Sequence, residues 1–235
     1  MKKQKTVIVT GASKGIGLSI VQTLLKETNT SYTMILIARE SHAYTNAIEE
    51  LEKLTDHTII PHICDIGNSE QLNSTLEKII ALDLQIDLLV NNAGYTNPES
   101  FLDVDIEDYR HTLEVNVIAP FRMIQKLFHA GNHIKQIVNL GSTSGIGARP
   151  GWVTYAASKA AMISMSDTLR EELSVFGTKV ICISPGRCAT DLRKTLAPDE
   201  DPTTIMQPDN VADIVKFLIS PSGHYITSHN LIVRQ

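Results

Sequence analysis

The stretch Thr10-Gly11-Ala12-Ser13-Lys14-Gly15-Ile16-Gly17 decides how this 235-residue chain folds. It follows a short β-rich apolar run, Lys5–Thr10, and opens an amphipathic run, Gly15–Lys26, with helical periodicity. Glycines at G-x-x-x-G-x-G spacing let the backbone turn sharply and approach a ligand closely. A helix starting at such a loop turns free N–H groups and a partial positive charge toward phosphate. Gly11, Ser13, Lys14, Gly15, Ile16 and Gly17 therefore read as the cradle for the pyrophosphate of a dinucleotide.

Outward from this loop, short apolar runs alternate with longer amphipathic ones. Thr33–Ala38, Thr58–Cys64, Asp87–Asn91, Gln136–Gly141 and Lys179–Ser184 read as further strands, near-continuously apolar as strands covered on both faces are. Tyr44–Leu54, Ser69–Leu82, Ile106–Ala130 and Thr154–Phe176 read as helices. Asn68-Ser69 and Asp105-Ile106 supply helix-start chemistry. A last helix, Pro208–Ile219, precedes a last strand within Tyr225–Val233. This alternation predicts an α/β fold: a doubly wound parallel sheet with helices on both faces. With no linker or repeat, the whole of 1–235 is expected to be a single domain. A Pro- and Asp-rich segment within 187–207 is placed to form a small lid.

The second strand ends Ile37-Ala38-Arg39-Glu40. A carboxylate at the Arg39 position would suit the ribose 2′-hydroxyl of NAD. A guanidinium suits the 2′-phosphate of NADP instead, and Lys14 supplies a second cation. NADPH is the expected cofactor, with NADH as the alternative if both cations are ordinary surface groups. Farther on, Tyr155 and Lys159 are spaced to share one helix face. A lysine beside a tyrosine stabilises phenolate and is expected to draw its pKa toward neutrality. Ser142 follows the Gln136–Gly141 strand, at the edge where open parallel sheets bind ligands. Its hydroxyl is placed to hold a carbonyl oxygen next to Tyr155.

Together with Asp65-Ile66, Asn91-Asn92-Ala93-Gly94, Asn116, and Pro185-Gly186 followed by Thr190, these motifs resemble the short-chain dehydrogenase/reductase family, classical subfamily, over nearly the whole chain. The resemblance implies a Rossmann-type, three-layer α/β/α fold with about seven strands. It implies that Asp65 and Ile66 bound the adenine. Asn91 and Gly94 would lie on the adenosine ribose side, with Asn92 and Ala93 beside them at the cofactor. Lys159 would bind the nicotinamide ribose, and Asn116 would hold a water joining Lys159 to solvent. Pro185, Gly186, Cys188 and Thr190 would line the nicotinamide pocket. The catalytic set is then Asn116, Ser142, Tyr155 and Lys159, with Tyr155 protonating a ketone or aldehyde as hydride arrives. The alternatives are oxidation of a secondary alcohol or sugar by the same residues, and a non-catalytic nucleotide sensor. A sensor would be expected to lose part of this set.

Composition narrows the partners. The formal net charge is -5, with no clustered basic face to suggest nucleic acid. The run Thr6–Val9 is too short for a secretory core, and no stretch reaches a membrane span. The cysteines, Cys64, Cys182 and Cys188, show no C-x-x-C. A cytoplasmic protein acting on a small carbonyl compound is expected. The C-terminus, Thr227 to Gln235, lacks the Gly-rich V-D-G-G end common in the family, which leaves homodimer and homotetramer both open. Arg149, Arg187 and Arg193 crowd the substrate side and raise the option of an anionic substrate such as a sugar phosphate, unless they pair with Asp191, Asp199, Glu200 or Asp201. Trp152 and Ile146 suit an apolar or aromatic ketone instead. No metal site is expected, since Gly131-Asn132 separates His129 from His133.

Overall fold

In the computed structural model, which describes residues 2–54 and 57–235, strands and helices alternate from end to end. The order is β1 (Lys3–Thr10), α1 (Gly15–Leu25), β2 (Thr30–Ala38), α2 (His42–Leu51), β3 (Thr58–Ile63), α3 (Ser69–Ile80) and β4 (Leu88–Asn91). It continues with α4 (Ile106–Leu113), α5 (Ala119–His129), β5 (Gln136–Leu140), α6 (Val153–Leu173), β6 (Lys179–Pro185), α7 (Asp191–Leu196), α8 (Pro208–Leu218) and β7 (Asn230–Val233). The strands form one seven-stranded sheet in the order β3-β2-β1-β4-β5-β6-β7. Every pairing is parallel.

The period of two along each strand divides the core into two layers. Val7, Val9, Met34, Leu36, Leu88 and Val90 pack toward residues of α1, α2 and α8. Their neighbours Ile8, Ile35, Ile37 and Leu89 pack toward α3, α5 and α6. Both faces are covered, which is why the strands read as continuous apolar runs. Edge strand β3 is less buried and carries Pro61, tolerated where one side of the ladder is open. Asn68 and Asp105 cap α3 and α4 by accepting from backbone N–H groups, as their sequence positions predict.

Some boundaries differ from the pattern. β2 starts at Thr30 because Lys3, Gln4 and Lys5 of β1 give Thr30, Ser31 and Tyr32 pairing partners. The last strand is only Asn230–Val233, preceded by a 3-10 turn at Gly223–Tyr225. The run read as one helix from Ile106 to Ala130 is interrupted by a π-helical turn, Glu114–Ile118, in which the Ala119 N–H reaches back to the Glu114 carbonyl. Pro120 explains the interruption. It has no N–H for the Asn116 carbonyl, and its ring would collide with that carbonyl in a regular helix.

The sheet order reverses direction between β1 and β4, and the loops leaving these strands open a crevice there. A clasp holds the two loops together. The Thr10 hydroxyl accepts from the backbone N–H groups of Asn92 and Ala93, both at 3.0 Å, and donates to the Val90 carbonyl at 3.4 Å. The Asn92 amide returns bonds to the carbonyls of Thr10 (2.9 Å) and Gly11 (3.3 Å). Thr10→Val keeps the shape but orphans these N–H groups. Denaturant unfolding should show a loss of about 1–3 kcal/mol, and unchanged stability would refute the clasp.

Candidate active site

A cavity of about 450 Å³ opens at the C-terminal ends of β1, β2, β4, β5 and β6. Gly11, Ser13, Lys14, Gly15 and Ile16 form one side of it, with Arg39 at the end of β2. Gly11 and Gly15 have φ of 69° and 57°, the left-handed region that glycine adopts without strain. Gly17 does not line the cavity. It is required from behind, because a β-carbon there would lie 2.3 Å from the Gly11 carbonyl oxygen. The first turn of α1 carries no acidic residue and no side-chain cap. Its N–H groups are therefore available to an anion, and this donor set fits a dinucleotide pyrophosphate.

Asn92, Ala93, Gly94, Pro185, Gly186, Cys188 and Thr190 also face the cavity. Asp65 and Ile66 do not. Asp65 accepts from the Gly67 N–H at 2.9 Å in the turn after β3, and Ile66 is buried in the second core layer. Asn91 is withdrawn as well: its amide donates to Asn139 Oδ1 at 2.8 Å inside the sheet. Burial pushes the Cys188 thiol up to about 11, so it stays protonated as a small buried group. His133 packs on Phe128 and Phe176 rather than joining His129. Among the described residues no group of His, Cys, Asp or Glu is arranged to hold a metal ion.

Ser142, Tyr155 and Lys159 meet in this cavity. Tyr155 lies near the start of α6, and Lys159 follows one turn later on the same face. The Lys159 ammonium lies 5.7 Å from the Tyr155 ring centroid and donates to the Leu140 carbonyl at the end of β5, at 2.7 Å. The expected lowering of the tyrosine pKa by this lysine is not what the geometry gives. Burial pushes Tyr155 up to about 12, opposed by a hydrogen bond with Ser142 and by the charge of Arg193. Burial also pushes Lys159 down to about 8, with the neighbouring Cys182 opposing the shift. Desolvation dominates both groups because both are enclosed.

Asn116 sits in the π-helical turn, behind the cavity wall. Its amide donates to the Tyr95 carbonyl and to the Ser158 hydroxyl, each at 2.9 Å, and its Oδ1 accepts from the Tyr95 N–H at 2.8 Å. Ser158 in turn donates to the Tyr155 carbonyl at 2.8 Å. This chain ties the loop after β4 to the helix that carries Tyr155 and Lys159. Gly94 lies alongside, where a β-carbon would be 3.5 Å from Asn116 Oδ1 and 3.8 Å from Lys159 Nζ. Ser158 escaped the sequence reading because a serine inside a helix announces nothing until its partner is known.

The segment 187–207 is tied down from several sides. Arg193 grips Glu200 through two bonds, Nε to Oε2 at 2.6 Å and a terminal nitrogen to Oε1 at 2.8 Å, and Arg187 reaches the same carboxylate at 3.2 Å. The paired arginines hold Glu200 below the usual carboxylate range. The Arg193 guanidinium also lies 5.4 Å from the Trp152 ring, a cation–π contact. The Ala189 N–H donates to Met206 at 2.8 Å, and Asp191 pairs with Lys14 of the glycine loop. Of the three arginines, Arg149 alone bonds no carboxylate among the described residues; it is exposed and donates to the Ala148 carbonyl at 2.9 Å.

The chain matches the model of the short chain dehydrogenase family over residues 5–201. It is similar to an acetoacetyl-CoA reductase of Acinetobacter sp. (strain RA3849), 28% identical with 99% of this chain and 97% of that protein aligned. A 3-oxoacyl-[acyl-carrier-protein] reductase of Rickettsia typhi is 30% identical, with 97% and 95% aligned. Among solved structures, a 3-ketoacyl-(acyl-carrier-protein) reductase from Brucella melitensis complexed with NADH superimposes with a TM-score of 0.84 at 25% identity, covering 97% of this chain and 96% of that one. A blue fluorescent protein from a metagenomic library, in complex with NADPH, gives a TM-score of 0.83 at 29% identity with the same coverage.

Lys159 sets a pH limit that can be measured. Its ammonium is kept below about 8 and lost above it. If that charge assists turnover, kcat/KM for carbonyl reduction should fall as pH rises through about 8, and Lys159→Met should be slow with no such limb. A parent profile flat to pH ~10, near the ordinary lysine pKa, would exclude the assignment.

Proposed function

This chain belongs to the short-chain dehydrogenase/reductase family of NAD(P)-dependent oxidoreductases acting on CH–OH groups, and from that premise we propose that it uses NADPH to reduce a ketone to an alcohol, with Tyr155 as the general acid. The observation that carries the reading is the meeting of Tyr155, Ser142 and Lys159 with an uncapped helix N-terminus in one cavity.

The glycine loop and the start of α1 would hold the pyrophosphate, Arg39 a 2′-phosphate, and Pro185, Gly186 and Thr190 the nicotinamide end. When bound, the dihydronicotinamide supplies hydride. The protein manages the proton. With its pKa at about 12, the Tyr155 hydroxyl is protonated at neutral pH, which suits an acid that donates to a developing alkoxide. Ser142 is placed to hydrogen-bond the same oxygen. The Lys159 ammonium is the nearest cation on the same helix face and can offset the phenolate that proton donation leaves. Asn116, through Ser158, keeps that helix face in register with the loop after β4.

A 3-oxoacyl ketone is the substrate class we favour. Two relatives are named for acetoacetyl-CoA and 3-oxoacyl substrates, and Trp152, Leu192 and Leu196 give the cavity an apolar wall. A sugar phosphate has less support, because Arg187 and Arg193 both already pair with Glu200. Ile118 and Phe121, exposed on the α4–α5 side, suit an interface between copies in a homodimer.

NADPH consumption with an acetoacetyl thioester and with a phosphorylated ketose compares the two classes directly; preference for the ketose would reverse the substrate reading. Tyr155→Phe should lower kcat by about 10²–10⁴-fold with NADPH still bound, and near-normal turnover would remove the acid role. Arg39→Asp should cut kcat/KM for NADPH by roughly tenfold or more, the loss of a charge-assisted contact, and spare NADH. A parent enzyme that prefers NADH would overturn the cofactor choice.

A further inference from the structure

The opposite edge of the sheet holds a second cleft, of about 740 Å³, that no step of the proposed reaction uses. It is built where strands begin. Lys3 and Lys5 open β1, Thr30 opens β2, Leu88 opens β4, Gln136 opens β5 and Lys179 opens β6. Active-site ligands of parallel sheets bind at strand C-termini, so this cleft is separated from the glycine loop by the length of the strands.

Helix C-termini converge on this edge, and their partial negative charge is one reason for lysines here. Lys179 is already engaged, donating to the carbonyls of Gly223 at 2.6 Å and His224 at 3.0 Å in the 3-10 turn after α8. Lys135 is engaged with Asp87 Oδ1 at 2.6 Å, and Asp87 Oδ2 accepts from the Thr6 N–H at 2.9 Å. The other carboxylate of the cleft, Glu27, accepts from the Tyr32 hydroxyl at 2.7 Å.

What remains is an excess of donors. Among the described residues, the ammonium groups of Lys3 and Lys5 form no hydrogen bond or ion pair. The Gln136 Nε2 is buried without a partner, a state that costs free energy unless something accepts from it. Lys5 is held below the ordinary lysine value, first by burial and then by the charge of Lys3; Lys135 adds to this, while Glu27 and Asp87 oppose it. Unpaired donors around like charges are relieved by an anion with several acceptor oxygens.

We propose that this cleft is a second binding site, for a small phosphate-type anion, with Lys3, Lys5 and the Gln136 amide as its donors. A phosphate group brings up to two negative charges for the two unpaired ammonium groups and further oxygens for the amide, and lysine binds phosphate as a point charge.

Calorimetric titration of the full chain with inorganic diphosphate tests this. With a saturating nicotinamide cofactor filling the glycine loop, one saturable event is expected, weakened at least tenfold by Lys5→Gln and by Gln136→Glu, which puts a carboxylate where the amide donor stands. Lys3→Gln replaces Lys5→Gln if the latter fails to fold. No saturable binding under those conditions, or binding that survives both cleft substitutions, overturns the proposal. Binding seen only when the cofactor is left out also overturns it and places the anion at the glycine loop. None of these outcomes depends on which carbonyl compound is reduced.

Discussion

The hydroxyl of Thr10 and the amide of Asn92 join the loops leaving β1 and β4, and the rest of the molecule is arranged around that junction. Parallel strands need a crossover rather than a tight turn, and the neighbouring strands β1 and β4 are separated in sequence by three helices and two strands. Their C-terminal ends diverge, and something must hold the diverging loops at a fixed separation. The clasp does this with backbone groups that would otherwise be unsatisfied. It brings Gly11 so close to Asn92 that a β-carbon at Gly11 would lie 2.8 Å from the amide nitrogen. The glycine is needed for this crossing as much as for any ligand.

Burial governs the chemistry of the cavity. Tyr155 and Lys159 are both enclosed, and enclosure favours their neutral forms. A phenol held protonated suits a proton donor, and a lysine poised near neutrality suits a group that gives and regains protons. The charge of Arg193 opposes the raised pKa of the phenol. That same arginine is shared with Glu200 and Trp152. The 187–207 segment and the Tyr155 phenol are thereby connected through one side chain.

The π-helical turn shows how a local defect serves the site. Pro120 cannot complete the helical bond to Asn116, and the helix widens where Asn116 projects. The Asn116 side chain then bonds Tyr95 on one side and Ser158 on the other. The sequence pattern read Ile106–Ala130 as one helix running through Pro120. The effect of that proline was not legible there, because a proline can kink, end or widen a helix depending on what packs against it.

The alternation of strand and helix, the glycine loop and the spacing of Tyr155 to Lys159 are local in sequence, and local periodicity was enough to determine the fold class and to set Tyr155 and Lys159 on one helix face. The strand order agrees with that reading, and Ser142, Tyr155 and Lys159 line one cavity with the loop. Tertiary structure decided what depends on partners distant in the chain. It turned Asn91 into the sheet core, left Asp65 and Ile66 outside the cavity, and gave Arg187 and Arg193 to Glu200. It also set the direction of the Tyr155 shift, because desolvation is a property of the enclosed site and a spacing of residues carries no measure of it. The tyrosine and lysine were fixed by sequence as neighbours; only the packed protein decided which proton each of them keeps.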